Sequence, residues 1–299
     1  MALRIEEFFG YPLGDPAANL FIDGRRCPFV DDSCIKPDHG ACTLSALRQS
    51  HPVICCPNRL YASNFQVVRD VCALAFGASR ALIKPSDARL LIAQNALTGS
   101  EVVAFGRYFG QELPLPRAGS GAGSYYMDWV LTSLTPTGAV AEMTALEVQT
   151  IDTTGSYREQ SAAAFDRTVF TDGGGRSPGY SNAGFNWENV SKRILPQVIY
   201  KGHALRREVK CTKGLFFACP TAVYDRIMDR LGGVNILHQY QMHPGAITFL
   251  AYDQGIARTL QGPASFTTTI DQVALAFTSP RNLPPPGCYE DAANRALQS

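Results

Sequence analysis

The sequence predicts a mixed α/β fold, with a central sheet flanked by helices and a metal-stabilised subdomain at the N-terminus. Three observations carry the prediction. Residues 125–151 read as two strands joined by a tight turn. Val67, Val68, Val71, Leu74 and Ala75 repeat with helical spacing inside 63–79, and Thr221 to Leu231 is bounded like a helix. Five of the nine cysteines crowd into Cys27 to Cys56, and in a chain of a reducing compartment such clustering favours a metal over disulfides.

The two strands carry the chemistry. The run Tyr125 to Leu134 is aromatic and β-branched, Thr135-Pro136-Thr137-Gly138 is a turn signal, and Ala139 to Ile151 is a second strand. So short a link makes an antiparallel hairpin. Side chains alternate along a strand, so Glu147 and Gln149 share a face and Val148 points away. Asp128 on the partner strand can meet them across the ladder. Two carboxylates held together on a rigid hairpin repel unless a cation separates them. Oxygen donors suit Mg²⁺, which activates water and polarises a phosphoryl group. Asp128, Glu147 and Gln149 could thus form a phosphodiester-cleaving site. The same spacing also fits a surface hairpin with ordinary polar residues.

Elsewhere the reading is coarser. The N-terminal stretch with Tyr11-Pro12-Leu13-Gly14 and Asp15-Pro16 is loop-rich. Ala88 to Ile92 suggests a short strand, and Glu101 to Phe105 a strand or a helix edge. Residues 118–124 and 172–179 are glycine-rich loops, either of which could order only on DNA; the first lacks the following lysine and helix start of a nucleotide-binding loop. Asn186 can cap a helix that Pro196 should kink or end, Leu215 to Ala218 is a buried strand, and Thr221 is the N-cap of a helix that Gly232-Gly233 stops. The three histidines His203, His238 and His243 lack metal-binding spacing.

Composition sets bounds. Hydrophobic residues make up 45% and charged residues 18% of 299, which supports a packed core. A net charge of +1 excludes a wholly basic surface but not a local basic cleft. No apolar run is long enough to span a membrane, and the acidic start Met1 to Phe9 lacks an apolar leader, so the expectation is a soluble cytoplasmic protein. Cys27, Cys34, Cys42 and Cys56 are spaced C-x6-C-x7-C-x13-C. Four thiolates suit zinc or iron, although buried free cysteines would read the same way.

Several of these stretches carry a family likeness. Met127-Asp128-Trp129-Val130-Leu131, Leu146-Glu147-Val148-Gln149-Thr150, Cys27-Pro28-Phe29 and Cys56-Pro57-Asn58-Arg59 resemble NotI-type restriction endonucleases, of the PD-(D/E)xK nuclease superfamily. Leu195 to Gly202 and Thr212 to Phe217 extend the likeness, which runs from about Phe21 to Gly233. The resemblance implies a PD-(D/E)xK restriction-endonuclease-like core over residues 100–280 and a four-cysteine subdomain over 1–99, while the tail over 281–299, with Pro284-Pro285-Pro286, reads as a C-terminal extension. It implies iron in the cysteine site, with zinc as the alternative and Cys55 able to replace Cys56. It also implies an upstream acid, Glu112 in its Gly-x-Glu setting, with Glu101 as the substitute. The usual motif lysine is replaced by Gln149, which can orient water but cannot accept its proton.

The window from Tyr200 to Lys213 is the most basic in the chain, and Lys201, Arg206, Arg207, Lys210 and Lys213 are the candidate DNA contacts. The function expected is Mg²⁺-dependent, site-specific cleavage of double-stranded DNA by a homodimer, since a two-fold pair of sites suits a palindrome. The rival readings are a nuclease for modified or damaged DNA and a metal-stabilised DNA-binding protein whose hairpin no longer cuts.

Overall fold

The computed structural model describes residues 2–49, 51–114, 126–279 and 283–298. Its centre is a seven-stranded sheet. In chain order the strands are β5 (Ala81–Ile83), β6 (Glu101–Gly106), β7 (Trp129–Leu134), β8 (Val140–Val148), β11 (Cys211–Pro220), β12 (Ala246–Gln254) and β13 (Leu260–Thr269), and in space they lie β13-β12-β11-β8-β7-β6-β5. Strands β8, β11 and β12 run parallel, whereas β6, β7 and β8 form an antiparallel meander. The sheet is therefore mixed, as the sequence predicts.

Helices cover both faces. Alternate residues of the sheet feed two cores, because side chains alternate along each strand. Val130, Ala145, Leu215, Phe217 and Phe249 share one cluster with α5 (Leu195–Leu205), α6 (Thr221–Leu231) and α7 (Ile270–Thr278). Trp129, Leu131, Leu146, Phe216 and Ala218 share the other with α2 (Ala62–Phe76), whose Val67, Val68 and Val71 are fully buried. The valine spacing predicted that helix. The second, smaller sheet is N-terminal: β1 (Leu3–Phe8), β2 (Tyr11–Pro12), β3 (Ala41–Ala46) and β4 (Val53–Ile54), in the order β2-β1-β3-β4. Its Leu3, Ile5 and Leu44 join the first core directly. In sequence α1 (Asn19–Gly24) lies between β2 and β3, and α3 (Pro85–Ala93) between β5 and β6; β9 (Thr153–Thr154) pairs with β10 (Gly184–Phe185), α4 (Arg158–Phe165) lies between them in sequence, and α8 (Cys288–Gln298) is the last described element.

Three local expectations change. The apolar run Ala88 to Ile92 is helical, inside α3, and the strand lies earlier at β5. Pro85 supplies a preset first helical turn, and Leu90 and Ile92 are largely exposed rather than sheet-buried. Pro196 does not end its helix. A π-helical turn over Val190–Ile194 runs directly into α5, so the helix continues past Pro196 through a widened turn. The loop at 172–179 folds around one buried side chain. The Asp172 carboxylate accepts from the backbone N–H groups of Gly174, Arg176 and Tyr180 and from Arg176 Nε. The glycine-rich stretch at 118–124 lies outside the described residues. Glu101 to Phe105 resolves as strand β6, and Leu215 to Ala218 lies buried in β11. Gly232, at φ +84°, ends α6 as expected, while Thr221 donates its hydroxyl to Asp253 instead of capping. Among the described residues no helix is long and apolar enough to cross a membrane.

Candidate active site

The hairpin forms as its sequence requires. Thr135 N donates to Ala139 O at 2.8 Å and Gly138 N to Thr135 O at 2.9 Å, closing the turn. Trp129 pairs with Leu146, so Asp128, one residue before β7, stands opposite Glu147 near the end of β8. The Asp128 carboxylate accepts the Val148 N–H at 2.8 Å, which ties it across the ladder. Next to it, Trp129 fills the space over Gly106, where a Cβ would lie 2.4 Å from the indole ring. The indole N–H donates to the Tyr61 hydroxyl at 3.1 Å. The strand entering the site is thus locked from α2's side of the sheet.

Glu112, Asp128, Glu147 and Gln149 line one cleft of ≈ 350 Å³, together with Asn58, Arg107, Tyr108, Gln197 and Lys201. Glu147 is buried, Asp128 and Gln149 are half-buried, and Glu112 is exposed on the rim. Burial first, and then the Asp128 charge, push the Glu147 carboxyl up to about 8 against the pull of Lys201. Burial also raises Asp128, with Glu112 adding to the rise. These are the marks of carboxylates crowded in a cleft without enough positive charge. Hard oxygen donors of this kind fit Mg²⁺.

The alternative upstream acid separates cleanly. Glu101 begins β6, whose other end, Gly106, pairs with Trp129. Its carboxylate faces the turn before β6, accepting from Thr98 N, Thr98 Oγ1 and Gly99 N. Glu112 is the acid that the chain brings to the cleft.

The basic window divides. Lys201 is buried, its Nζ 2.7 Å from Glu147 Oε1, and so belongs to the cleft instead of an open basic face. Arg206 is exposed and pairs with Asp271 at 2.7 Å. Arg207 and Lys210 are exposed and Lys213 is half-buried. They cluster where β11 begins: Cys211 aligns with Met143 and Phe217 with Glu147. At about 3.3 Å per residue, this end of the strand is roughly 20 Å from the end beside the cleft. The partnership of Lys201 and Glu147 left no local signal, because 54 positions separate them (201 − 147).

Cys27, Cys34, Cys42 and Cys56 lie near enough to influence one another's charge. Cys42 and Cys56 share a thiol hydrogen bond that raises Cys42 and lowers Cys56. Cys27 and Cys34 each feel the charge of Cys56. Cys55, although adjacent to Cys56, turns its thiol to Ala41 O at 3.7 Å. A chain of contacts leads from this cluster to the cleft: Asn58 Nδ2 reaches Cys27 Sγ at 3.7 Å, and the Tyr108 hydroxyl donates to Asn58 Oδ1 at 2.6 Å. Asn58, Tyr61 and Gln197 line the site without any sequence signal singling them out. Among the described residues no group of three or more histidine, cysteine, aspartate or glutamate side chains is placed so that it could hold a metal ion.

Comparison with curated proteins returns no match. Residues 17–216 match the family of restriction endonuclease NotI, and that span holds the four cysteines, the three cleft carboxylates, Gln149 and Lys201. Covering about two thirds of the chain, the match places this protein in the NotI restriction endonuclease family.

Proposed function

We propose that the chain is a type II restriction endonuclease that hydrolyses both strands of double-stranded DNA at a specific site with Mg²⁺, on a PD-(D/E)xK core. The observation that carries the reading is the meeting of Asp128 and Glu147 across the hairpin, with Gln149 lining the same cleft. Asp128 and Glu147 would hold the ion, and Glu112 on the rim would assist it. When bound, Mg²⁺ supplies Lewis-acid polarisation of the phosphoryl group and lowers the pKa of water. Gln149 orients the attacking water through its amide, and it neither gains nor loses a proton. The Val148 N–H fixes one Asp128 oxygen beside the cleft. Tyr61, Trp129 and Gly106 hold the hairpin end rigid, so the two carboxylates keep their spacing as substrate arrives.

In this reading Cys27, Cys34, Cys42 and Cys56 hold iron or zinc as a structural centre. Four sulfurs fill a tetrahedral ion, which leaves no open position for chemistry. Asn58 then transmits the cluster's position to Tyr108 on the cleft wall. DNA lying over the cleft meets Arg107 at its edge. Arg207, Lys210 and Lys213 would touch phosphates well to one side of the scissile one, about six nucleotides away at 3.4 Å per nucleotide. A homodimer would present two such clefts to a palindrome.

Incubation with Mg²⁺ and a long DNA of known sequence tests the reading. Discrete fragments with identical ends are expected. Smearing marks a nonspecific nuclease, fragments only from modified DNA mark the modified-DNA reading, and retardation without cutting marks a binder.

A further inference from the structure

We propose that Lys201 supplies from helix α5 the positive charge that Gln149 no longer supplies from the strand. The inference rests on the nuclease reading above and deepens it. Lysine is almost never fully buried unless paired. Here Lys201 is 7% exposed, and Nζ lies 2.7 Å from Glu147 Oε1. It lines the same cleft as Glu112, Asp128 and Gln149. The cleft therefore holds three carboxylates and one buried ammonium, which comes from a different element than the motif.

A purely structural ion pair explains this less well. Desolvating two charges offsets most of their attraction, and a well-packed apolar pair stabilises a fold as effectively. The placement is also enforced from behind. At Gly202 a Cβ would lie 2.3 Å from Ile270 Cδ1, so the missing side chain lets α5 close on α7 beside the lysine.

The step that Lys201 serves is hydrolysis. The water oxygen bonds to phosphorus as one P–O ester bond breaks; the attacking water releases its proton to solvent, and the leaving oxygen takes one from solvent. Lys201 keeps its own protons. It acts as a fixed hydrogen-bond donor to the charge that grows on the phosphoryl oxygens. This is a different task from a phosphate contact on an open basic face, and the two separate in experiment.

Lys201→Gln should slow single-turnover cleavage at least about a hundredfold, with DNA affinity in Ca²⁺ and its salt slope unchanged. The double variant Gln149→Lys, Lys201→Gln returns the charge to the strand beside Glu147 and should recover most of the lost rate. It also keeps a cation next to the buried carboxylate, so it folds even if the single variant does not. Normal cutting by Lys201→Gln overturns the proposal. So does a parallel loss of affinity and salt slope, which would mark a phosphate contact, and so does a folded double variant as slow as the single one. A wild-type chain that never cuts DNA overturns the nuclease reading and the lysine's role with it.

Discussion

Arg59 and Glu7 form a buried, two-pronged ion pair, Nε to Oε2 at 2.7 Å and Nη2 to Oε1 at 3.1 Å. Arg59 is 0% exposed and Glu7 3%. The third guanidinium nitrogen donates to the carbonyls of Arg258 and Thr259, and Thr43 Oγ1 donates to Glu7. Arg59 thus clasps three parts of the chain: β1 of the small sheet, the cysteine segment that it follows by three residues from Cys56, and the entrance to β13. Removing one partner of such a pair leaves the other charge buried and alone. Arg59→Met should lower unfolding stability by about 3–5 kcal/mol, read as a shifted denaturant midpoint with unchanged slope. A shift within experimental error would mean that the clasp is not a structural keystone.

The facing of Asp128 and Glu147 yields the second prediction. Asp128→Asn and Glu147→Gln keep shape and remove charge, so the hairpin should fold and DNA should still bind in Ca²⁺. Single-turnover cleavage in Mg²⁺ should fall below detection for both. Gln149→Ala should cost less, because an orienting amide contributes less than a metal ligand. Asp128→Asn cutting at the normal rate would place the active site elsewhere.

The cysteine cluster allows a discriminating pair of variants. Protein purified without added metal should carry about one equivalent of iron or zinc by elemental analysis, as four thiolates imply. Cys42→Ala should lose it and melt at lower temperature, because binding energy at such a site is folding energy. Cys55→Ala should keep it, since that thiol turns to Ala41 O instead of to Cys56. A metal-free wild type, or retention of metal in Cys42→Ala, would remove the site.

Asp172 gives a pH-dependent prediction. Hydrogen bonds from Tyr180 N, first, and then from the Arg176 backbone and side chain hold its carboxyl down to about 2. An unfolded aspartate titrates near 3.9. The depressed folded value means that the charged form stabilises the loop above about pH 4, and that the contribution is lost as pH falls from there to about 2. At neutral pH Asp172→Ala should expose the loop, read as faster tryptic cleavage after Arg176. Between pH 4 and 2 the wild type should lose more stability than the variant. Equal acid profiles would show that the loop is held by other contacts.

What the sequence alone determined was local or compositional. The hairpin, with Asp128 opposite Glu147, follows from alternation and one turn, both readable within some thirty residues. So do α2 and α6, whose apolar spacing and glycine stop are contained in their own segments. The clustering of cysteines and the family of the cleft residues were equally legible. Where the same short apolar run fits two periods, as at Ala88 to Ile92, the local signal failed, and Pro85 together with solvent exposure decided for helix. Only the tertiary structure could place Glu112 on the cleft and Glu101 at the turn before β6, or turn the Cys55 thiol to Ala41 O, because each depends on which way a side chain faces within a three-dimensional neighbourhood. Only it could move Lys201 from a basic run into the cleft, or join Glu7 to Arg59 across 52 positions. Those pairings are made by helices and sheets packing their apolar faces together, and the polar partners meet as a consequence of that packing, which no stretch of chain encodes by itself.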